Sequence, residues 1–263
     1  RGLRVRTHDI DRVKALPLFS DIEPDLFRQF TLGAHLQRFP ANTTLLEEGD
    51  PVDFLYVLLD GQVELHGTWN DKETVMSILR PVSTFILAAV VLDADALMSA
   101  RTLERSEILI LPGDAIRRGM MSDPRFAMAV ARDLAGGYRN WVRTLKNQKL
   151  RSGVERLANY LVTLQARTES GPMLRLPHEK RVLASLLGMT PENLSRAFAA
   201  LQKYGVEVHG AQVALRNVPA LRALAKPDPL IDLHAPRGGD IQMDAEAEIW
   251  STEWSRAGQA SAK

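Results

Sequence analysis

Apolar positions change period along this chain, and the changes divide it. Asp9–Leu16 and Pro24–Ala34 carry apolar residues at helical spacing and predict two short helices. From about Leu36 the pattern shortens to brief apolar runs broken by turn residues. Thr44-Leu45-Leu46 runs into Glu47-Glu48-Gly49-Asp50-Pro51, a strong turn signal. Phe54–Leu59 and Gln62–His66 read as strands joined at Asp60-Gly61, a pair suited to a tight hairpin in which both central residues take positive φ. Val75–Leu79 and Glu107–Leu111 continue the series. Many short strands at this spacing predict a small barrel or jelly roll.

Helical period then returns over roughly Pro124–Asn147. Leu134, Tyr138, Trp141 and Leu145 recur at steps of four, three and four, the seam of a two-helix coiled coil. The same stripe is open to a second reading, packing on the chain's own barrel. Gly136-Gly137 weakens the helix by about 1 kcal/mol per glycine relative to alanine, as a hinge or a point of close approach.

Farther along, Glu179–Leu187 predicts a short helix carrying Val182, Leu183, Leu186 and Leu187, and Gly188 permits a sharp bend after it. Thr190 is a good N-cap, and Pro191 suits the first helical position because its missing N–H costs nothing there. Leu194, Phe198 and Leu201 fall on one face of the helix that follows, while Glu192, Ser195 and Arg196 share another. Two short helices across a glycine turn make a helix-turn-helix, or else an ordinary helical hairpin with exposed charges. Val206–His209 and Gln212–Leu215 with Gly210 between them predict a hairpin directly downstream, the position of a wing.

Charge favours the DNA-binding alternative. The whole chain is nearly neutral, at formal net charge +1. Yet residues 137–226 hold 15 Lys/Arg against 5 Asp/Glu, residues 1–136 hold 15 against 20, and residues 227–263 hold 3 against 7. Lys146, Lys149, Arg151 and Arg156 lie on the approach to the helical pair. A localised positive field is what phosphate neutralisation requires. In a DNA major groove an outward Arg grips the O6/N7 edge of guanine and a Glu accepts from cytosine N4. Thr190, Glu192, Asn193, Ser195 and Arg196 are therefore the expected DNA-contacting residues.

The remaining chemistry is mostly exclusion. The chain has no cysteine, so disulfides, iron–sulfur clusters and thiolate ligands are absent. No apolar run approaches the roughly 18 residues of a membrane span, and the charged Arg1–Arg12 stretch lacks the apolar core of a signal peptide. A cytoplasmic location is expected. No phosphate loop, paired-His motif or nucleophile elbow occurs, and the apolar stretch offers no acid or base, so no enzyme is expected.

Two motifs in this order resemble the CRP/FNR superfamily of bacterial transcription regulators. Glu48-Gly49-Asp50 with Leu55–Leu65 marks the barrel, and Leu186–Arg196 the reading head. The resemblance covers about residues 9–225. It implies an α+β fold with an N-terminal cyclic-nucleotide-binding-like β-barrel or jelly roll, a long dimerisation helix and a C-terminal winged helix-turn-helix. The expected divisions are 1–120, 121–150, 151–226 and an acidic extension, 227–263. It also implies a homodimer on double-stranded DNA, RNA polymerase as a partner, and allosteric control by a small effector. Leu134, Tyr138, Trp141 and Leu145 become the expected dimer interface. Glu192, Ser195 and Arg196 resemble the FNR-type reading head, which implies TTG…CAA half-sites in a pseudo-palindrome.

Where cyclic-AMP-binding members carry Gly-Glu and Arg-Ser, this chain has Leu87-Ala88 and Met98-Ser99. A cyclic phosphate against Met98 would lack its charge partner, so cyclic AMP is not the expected ligand. Arg101, two residues beyond Ser99, offers a shifted phosphate contact. Phe85, Leu87, Val90, Leu92, Met98 and Ser99 are expected either to line an effector pocket or to fill the old nucleotide space as core. Several relatives hold haem in this region, and with no cysteine an axial ligand would be His, Met or a terminal amine. His66 and His8 are the leading candidates, ahead of His35 and Met98. Within the extension, Ile249, Trp250 and Trp254 fit one helical face in an otherwise acidic, structure-breaking tail.

Overall fold

The computed structural model describes residues 7–168 and 173–232, and the chain separates into two compact units that divide near Arg139 and Asn140. Within the first unit α1 (Thr7–Lys14) and α2 (Pro24–Leu32) precede eight strands, β1 (His35–Phe39), β2 (Thr44–Leu46), β3 (Phe54–Asp60), β4 (Val63–Trp69), β5 (Lys72–Leu79), β6 (Ser83–Phe85), β7 (Ser99–Thr102) and β8 (Ser106–Pro112). They form two antiparallel four-stranded sheets in the orders β1-β8-β3-β6 and β2-β7-β4-β5. This is the expected jelly roll. The apolar runs fill its centre, where Leu46, Leu55, Val57, Leu58, Val63, Leu65, Ala100 and Ile108 are all buried.

One expectation fails at Asp60-Gly61. β3 pairs with β6 and β8 while β4 pairs with β5 and β7, so the two strands are not a hairpin but lie in different sheets. Gly61 alone takes positive φ, +88°, and turns the corner between the sheets. The adjacent hairpin is β4–β5, closed by Asn70 and Asp71, both at positive φ as a type I′ turn requires. A Cβ on Gly61 would stand 2.6 Å from the Arg105 carbonyl oxygen and 2.7 Å from the Ser106 Cα. Gly61→Ala is therefore expected to cost about 2–3 kcal/mol in urea unfolding, from left-handed strain and the clash together.

The helix α1 docks through Arg12, whose Nη1 donates to Glu107 Oε2 at 3.0 Å and whose Nη2 donates to the Leu59 carbonyl at 2.6 Å. Burial alone would raise the Glu107 carboxyl, but hydrogen bonds from Arg12 and Arg38 outweigh it and hold the group below the usual carboxylate range. Its stabilising contribution is complete above that range and lost as pH falls through the lowered folded value. In Glu107→Gln the acid-unfolding curve should lose part of its steepness while stability above pH 7 also drops.

Between β6 and β7 lies α3 (Leu87–Leu92), and after β8 come α4 (Gly113–Ser122) and the long α5 (Pro124–Leu150). Phe126 on the first turn of α5 packs 5.0 Å from Phe30 and 6.1 Å from Phe19, centroid to centroid, and so fixes the start of this helix on the first unit. Among the described residues no helix is long and apolar enough to cross a membrane.

The second unit takes the last turns of α5, then α6 (Gly153–Thr168), β9 (Met173–Arg175), α7 (Lys180–Leu186), α8 (Pro191–Leu201), β10 (Val206–His209), β11 (Gln212–Leu215), α9 (Val218–Ala225) and α10 (Pro229–Asp232). Its sheet runs β10-β11-β9, and its core gathers Leu157, Leu161, Leu183, Leu194, Leu201, Val213 and Leu221. The β10–β11 hairpin stands where the wing was expected, with Gly210 at φ +64° in its turn. The expected tail begins later than residue 227, because α10 belongs to this unit and buries Ile231. Ile249, Trp250 and Trp254 lie outside the described residues.

Candidate functional site

The reading head is built as its residues dictate. Gly188, at φ +62°, makes the bend between α7 and α8. Thr190 takes an extended backbone and its Oγ1 accepts from the Asn193 N–H at 3.2 Å, with Pro191 at the first helical position. Leu194, Ala197, Phe198 and Leu201 are buried, which leaves Glu192, Asn193, Ser195 and Arg196 exposed together. Arg196 Nη2 donates to Asn193 Oδ1 at 2.5 Å, and Ser195 Oγ donates to the Pro191 carbonyl at 3.0 Å. A hydrogen bond from the Thr190 hydroxyl, with help from Arg196, holds the Glu192 carboxyl below the usual carboxylate range. The face thus presents a carboxylate, a hydroxyl and a guanidinium whose starting orientation is set by neighbours on the same helix.

By sequence, Arg156 on α6 is one of the basic residues on the approach to the helical pair. Its guanidinium meets carbonyls instead: Nε donates to Leu187 at 2.8 Å, Nη1 to Arg151 at 2.7 Å and to Gln148 at 3.2 Å, and Nη2 to Gly188 at 3.3 Å. Burial lowers its pKa. It ties the glycine turn to the end of α5 and the start of α6. A cleft of about 330 Å³ beside it is lined by Met189, Asn193 and Arg196 among others.

The expected effector residues do not converge. Phe85, Leu87 and Val90 are core, with Tyr56 stacked on Phe85 at 5.2 Å. Met98 packs against that core, and Leu92 is 74% exposed on α3. Of the two readings, the geometry favours the nucleotide space filled as core. Of the six, Ser99 lines a cleft of about 490 Å³ on the β2-β7-β4-β5 sheet. Glu64 stands opposite Arg101 and His66 opposite Ser99, whereas their neighbours Leu65 and Ala100 point into the core. The cleft is therefore on the sheet face turned away from the core.

Arg101 is committed there. Its Nε donates to Glu64 Oε1 and its Nη2 to Glu73 Oε1, both at 2.9 Å, and these bonds raise its pKa against the opposing pull of burial. A shifted phosphate contact at Arg101 would set an anion beside two carboxylates. His66 is 7% exposed, with Nδ1 3.9 Å from Glu64 Oε1 and Nε2 3.6 Å from Glu73 Oε2. Carboxylates on both sides and the polar lining of the cleft it faces do not suit a haem iron, against the expectation for this residue. His35 is exposed on β1, and the side chain of His8, in α1, lies outside the described residues. Among the described residues no group of three His, Cys, Asp or Glu is arranged to hold a metal ion.

The expected dimer stripe also divides. Leu134 packs partly on the barrel core, as the second reading of that stripe had it, while Tyr138 is 70% and Leu145 55% exposed, with Trp141 half-buried.

Two family models match the chain: a cyclic nucleotide-binding domain over residues 36–123 and a Crp-like helix-turn-helix domain over residues 155–224. A CRP-like cAMP-activated global transcriptional regulator of Mycobacterium tuberculosis is 25% identical over 215 residues, 80% of this chain and 96% of that protein. An anaerobic regulatory protein of Pasteurella multocida is 26% identical over 192 residues, 69% of this chain and 68% of its own. Among solved structures, FixK2 from Bradyrhizobium japonicum has the same fold, at a TM-score of 0.62 and 21% identity, covering 74% of this chain and 98% of that one.

Proposed function

The chain belongs to the CRP/FNR family of DNA-binding transcription regulators, and from that premise we propose that it acts as a homodimer on an inverted repeat with TTG…CAA-like half-sites. The observation that carries this reading is the exposed Glu192–Ser195–Arg196 face of α8, set by the Thr190 cap opposite four buried apolar residues. Two recognition helices one DNA turn apart read such a repeat. Tyr138 and Leu145 supply exposed apolar surface on α5 for the pairing. RNA polymerase is the partner through which a bound dimer would act on transcription.

The barrel interior supports control by something other than a cyclic nucleotide. Phe85, Leu87 and Val90 occupy it, and Met98 leaves no cation for a phosphate. A regulator with a filled barrel and no ligand inside is the reading these residues favour. Any allosteric effect then enters from the barrel surface and passes along α5, the helix common to both units.

Fluorescence anisotropy on a duplex carrying TTG…CAA half-sites, against a scrambled duplex, tests the reading. At about 150 mM salt the specific site should bind at least 10³-fold tighter, with one dimer per site by sedimentation. Equal affinity for both duplexes would overturn it.

A further inference from the structure

We infer that the cleft on the outer face of the β2-β7-β4-β5 sheet binds a small aliphatic cation with at least two ammonium groups, a diamine or polyamine. The inference concerns the first unit alone and is tested without DNA, so its failure leaves the DNA reading untouched.

Charge decides the sign of the ligand. Glu47, Glu48, Glu64 and Glu73 line or floor the cleft against the single guanidinium of Arg101, a formal −3 with His66 neutral. An anion meets four carboxylates and an arginine already committed to two of them.

His66 gives the independent sign that something is to be bound. It lines the cleft, is more than nine-tenths buried, and its Nδ1 has no hydrogen-bond partner. Carboxylate acceptors stand near both ring nitrogens, Glu64 at 3.9 Å from Nδ1 and Glu73 at 3.6 Å from Nε2. In the tautomer that aims Nε2–H at Glu73, the Nδ1 lone pair faces another acceptor. A buried polar atom left so is costly, and a ligand that donates relieves it.

The spread of acceptors decides the shape. Glu47 follows β2 at one edge of the sheet and Glu73 lies on β5 at the other, three strand spacings away, roughly 14 Å. Glu48 reaches between them, its Oε2 accepting the Thr68 N–H at 3.0 Å. The described acceptors do not close around a point as a metal site would. Acceptors strung across a polar cleft of about 490 Å³ suit an extended chain that donates at intervals.

Isothermal titration calorimetry of the full chain at constant ionic strength tests this, with spermidine and putrescine as probes and MgCl2 as the point-charge control. Spermidine should bind saturably at one per protomer and putrescine more weakly, with no saturable heat from Mg²⁺. Glu73→Gln and Glu48→Gln should each weaken spermidine by tenfold or more. Glu48 lies at the exposed rim, so its variant carries the test even where Glu73→Gln disturbs folding, which thermal melts will report. Absent saturation, an unchanged Kd in Glu48→Gln, or saturable Mg²⁺ binding would each overturn the proposal.

Discussion

Arg196→Ala should lower affinity for the specific duplex by roughly 2–6 kcal/mol, about 30-fold to 10⁴-fold, and leave the scrambled duplex nearly unaffected. A bidentate Arg–guanine contact is worth about 1–3 kcal/mol of discrimination, and a dimer makes it twice. The side chain is exposed and its hydrogen bond goes to Asn193 on its own helix, so folding stability should stay within about 0.5 kcal/mol of the parent. Arg196→Lys keeps the charge and loses the planar fork, and should fall near alanine in specificity while holding non-specific affinity. Equal losses on both duplexes, with a salt slope reduced by about one, would make Arg196 a phosphate anchor instead.

This face is legible in the sequence, whereas the sensor half is not. The helix-turn-helix is local. A cap, a proline and a glycine within four positions, followed by apolar residues at steps of four and three, specify orientation without reference to distant chain. Ala197 is buried on the same face, but a small side chain carries little signal and the pattern does not announce it. The barrel is different, since apart from the β4–β5 hairpin its strands pair across 25 to 75 residues. Asp60-Gly61 carries hairpin chemistry, yet the partner of β3 is decided by β8 some fifty residues later. Gly61 is required by the closeness of Arg105 and Ser106, which no local pattern announces.

The same distinction explains the effector residues. An apolar run from Phe85 to Leu92 is equally consistent with a pocket wall and with core, because both need the same side chains. What separates them is which face each residue turns toward the opposite sheet. Phe85, Leu87 and Val90 turn inward while Leu92 ends α3 in solvent. The cleft that does exist draws on β2, β4, β5 and β7, whose polar residues are unremarkable one strand at a time. His66 is an iron-ligand candidate only because the resemblance allows haem and the chain lacks cysteine; the register shows the carboxylates beside it.

Asp232→Ala should destabilise the second unit by about 3–5 kcal/mol, although residue 232 lies beyond the matched helix-turn-helix domain, which ends at residue 224. The side chains of Arg151 and Asp232 are 8% and 10% exposed and meet through two parallel bonds, 2.6 Å to Oδ1 and 2.8 Å to Oδ2. Asn159 Nδ2 donates to the same Oδ1 at 2.6 Å, and the Asp228 N–H donates to Oδ2 at 2.7 Å. The bond to Asp232 raises the Arg151 pKa against the opposing pull of burial. Removing the carboxylate leaves a buried guanidinium with only Asn147 Oδ1 and the Lys226 carbonyl, and strands the Asn159 amide. In thermal melts of the full chain the transition of this unit should fall by about 10 °C or more. Truncation after residue 226 should do at least as much, since it also removes Ile231, whereas truncation after residue 234 should do little. Arg151→Met with Asp232→Leu should recover only the part due to the unpaired guanidinium, because an apolar pair replaces a buried ion pair at little cost while the Asn159 amide and Asp228 N–H still lack their acceptor. A melt within 2 °C of the parent in Asp232→Ala would show that this carboxylate is dispensable. The expected fall would make 227–232 part of the DNA-binding fold and move the start of the extension past Asp232.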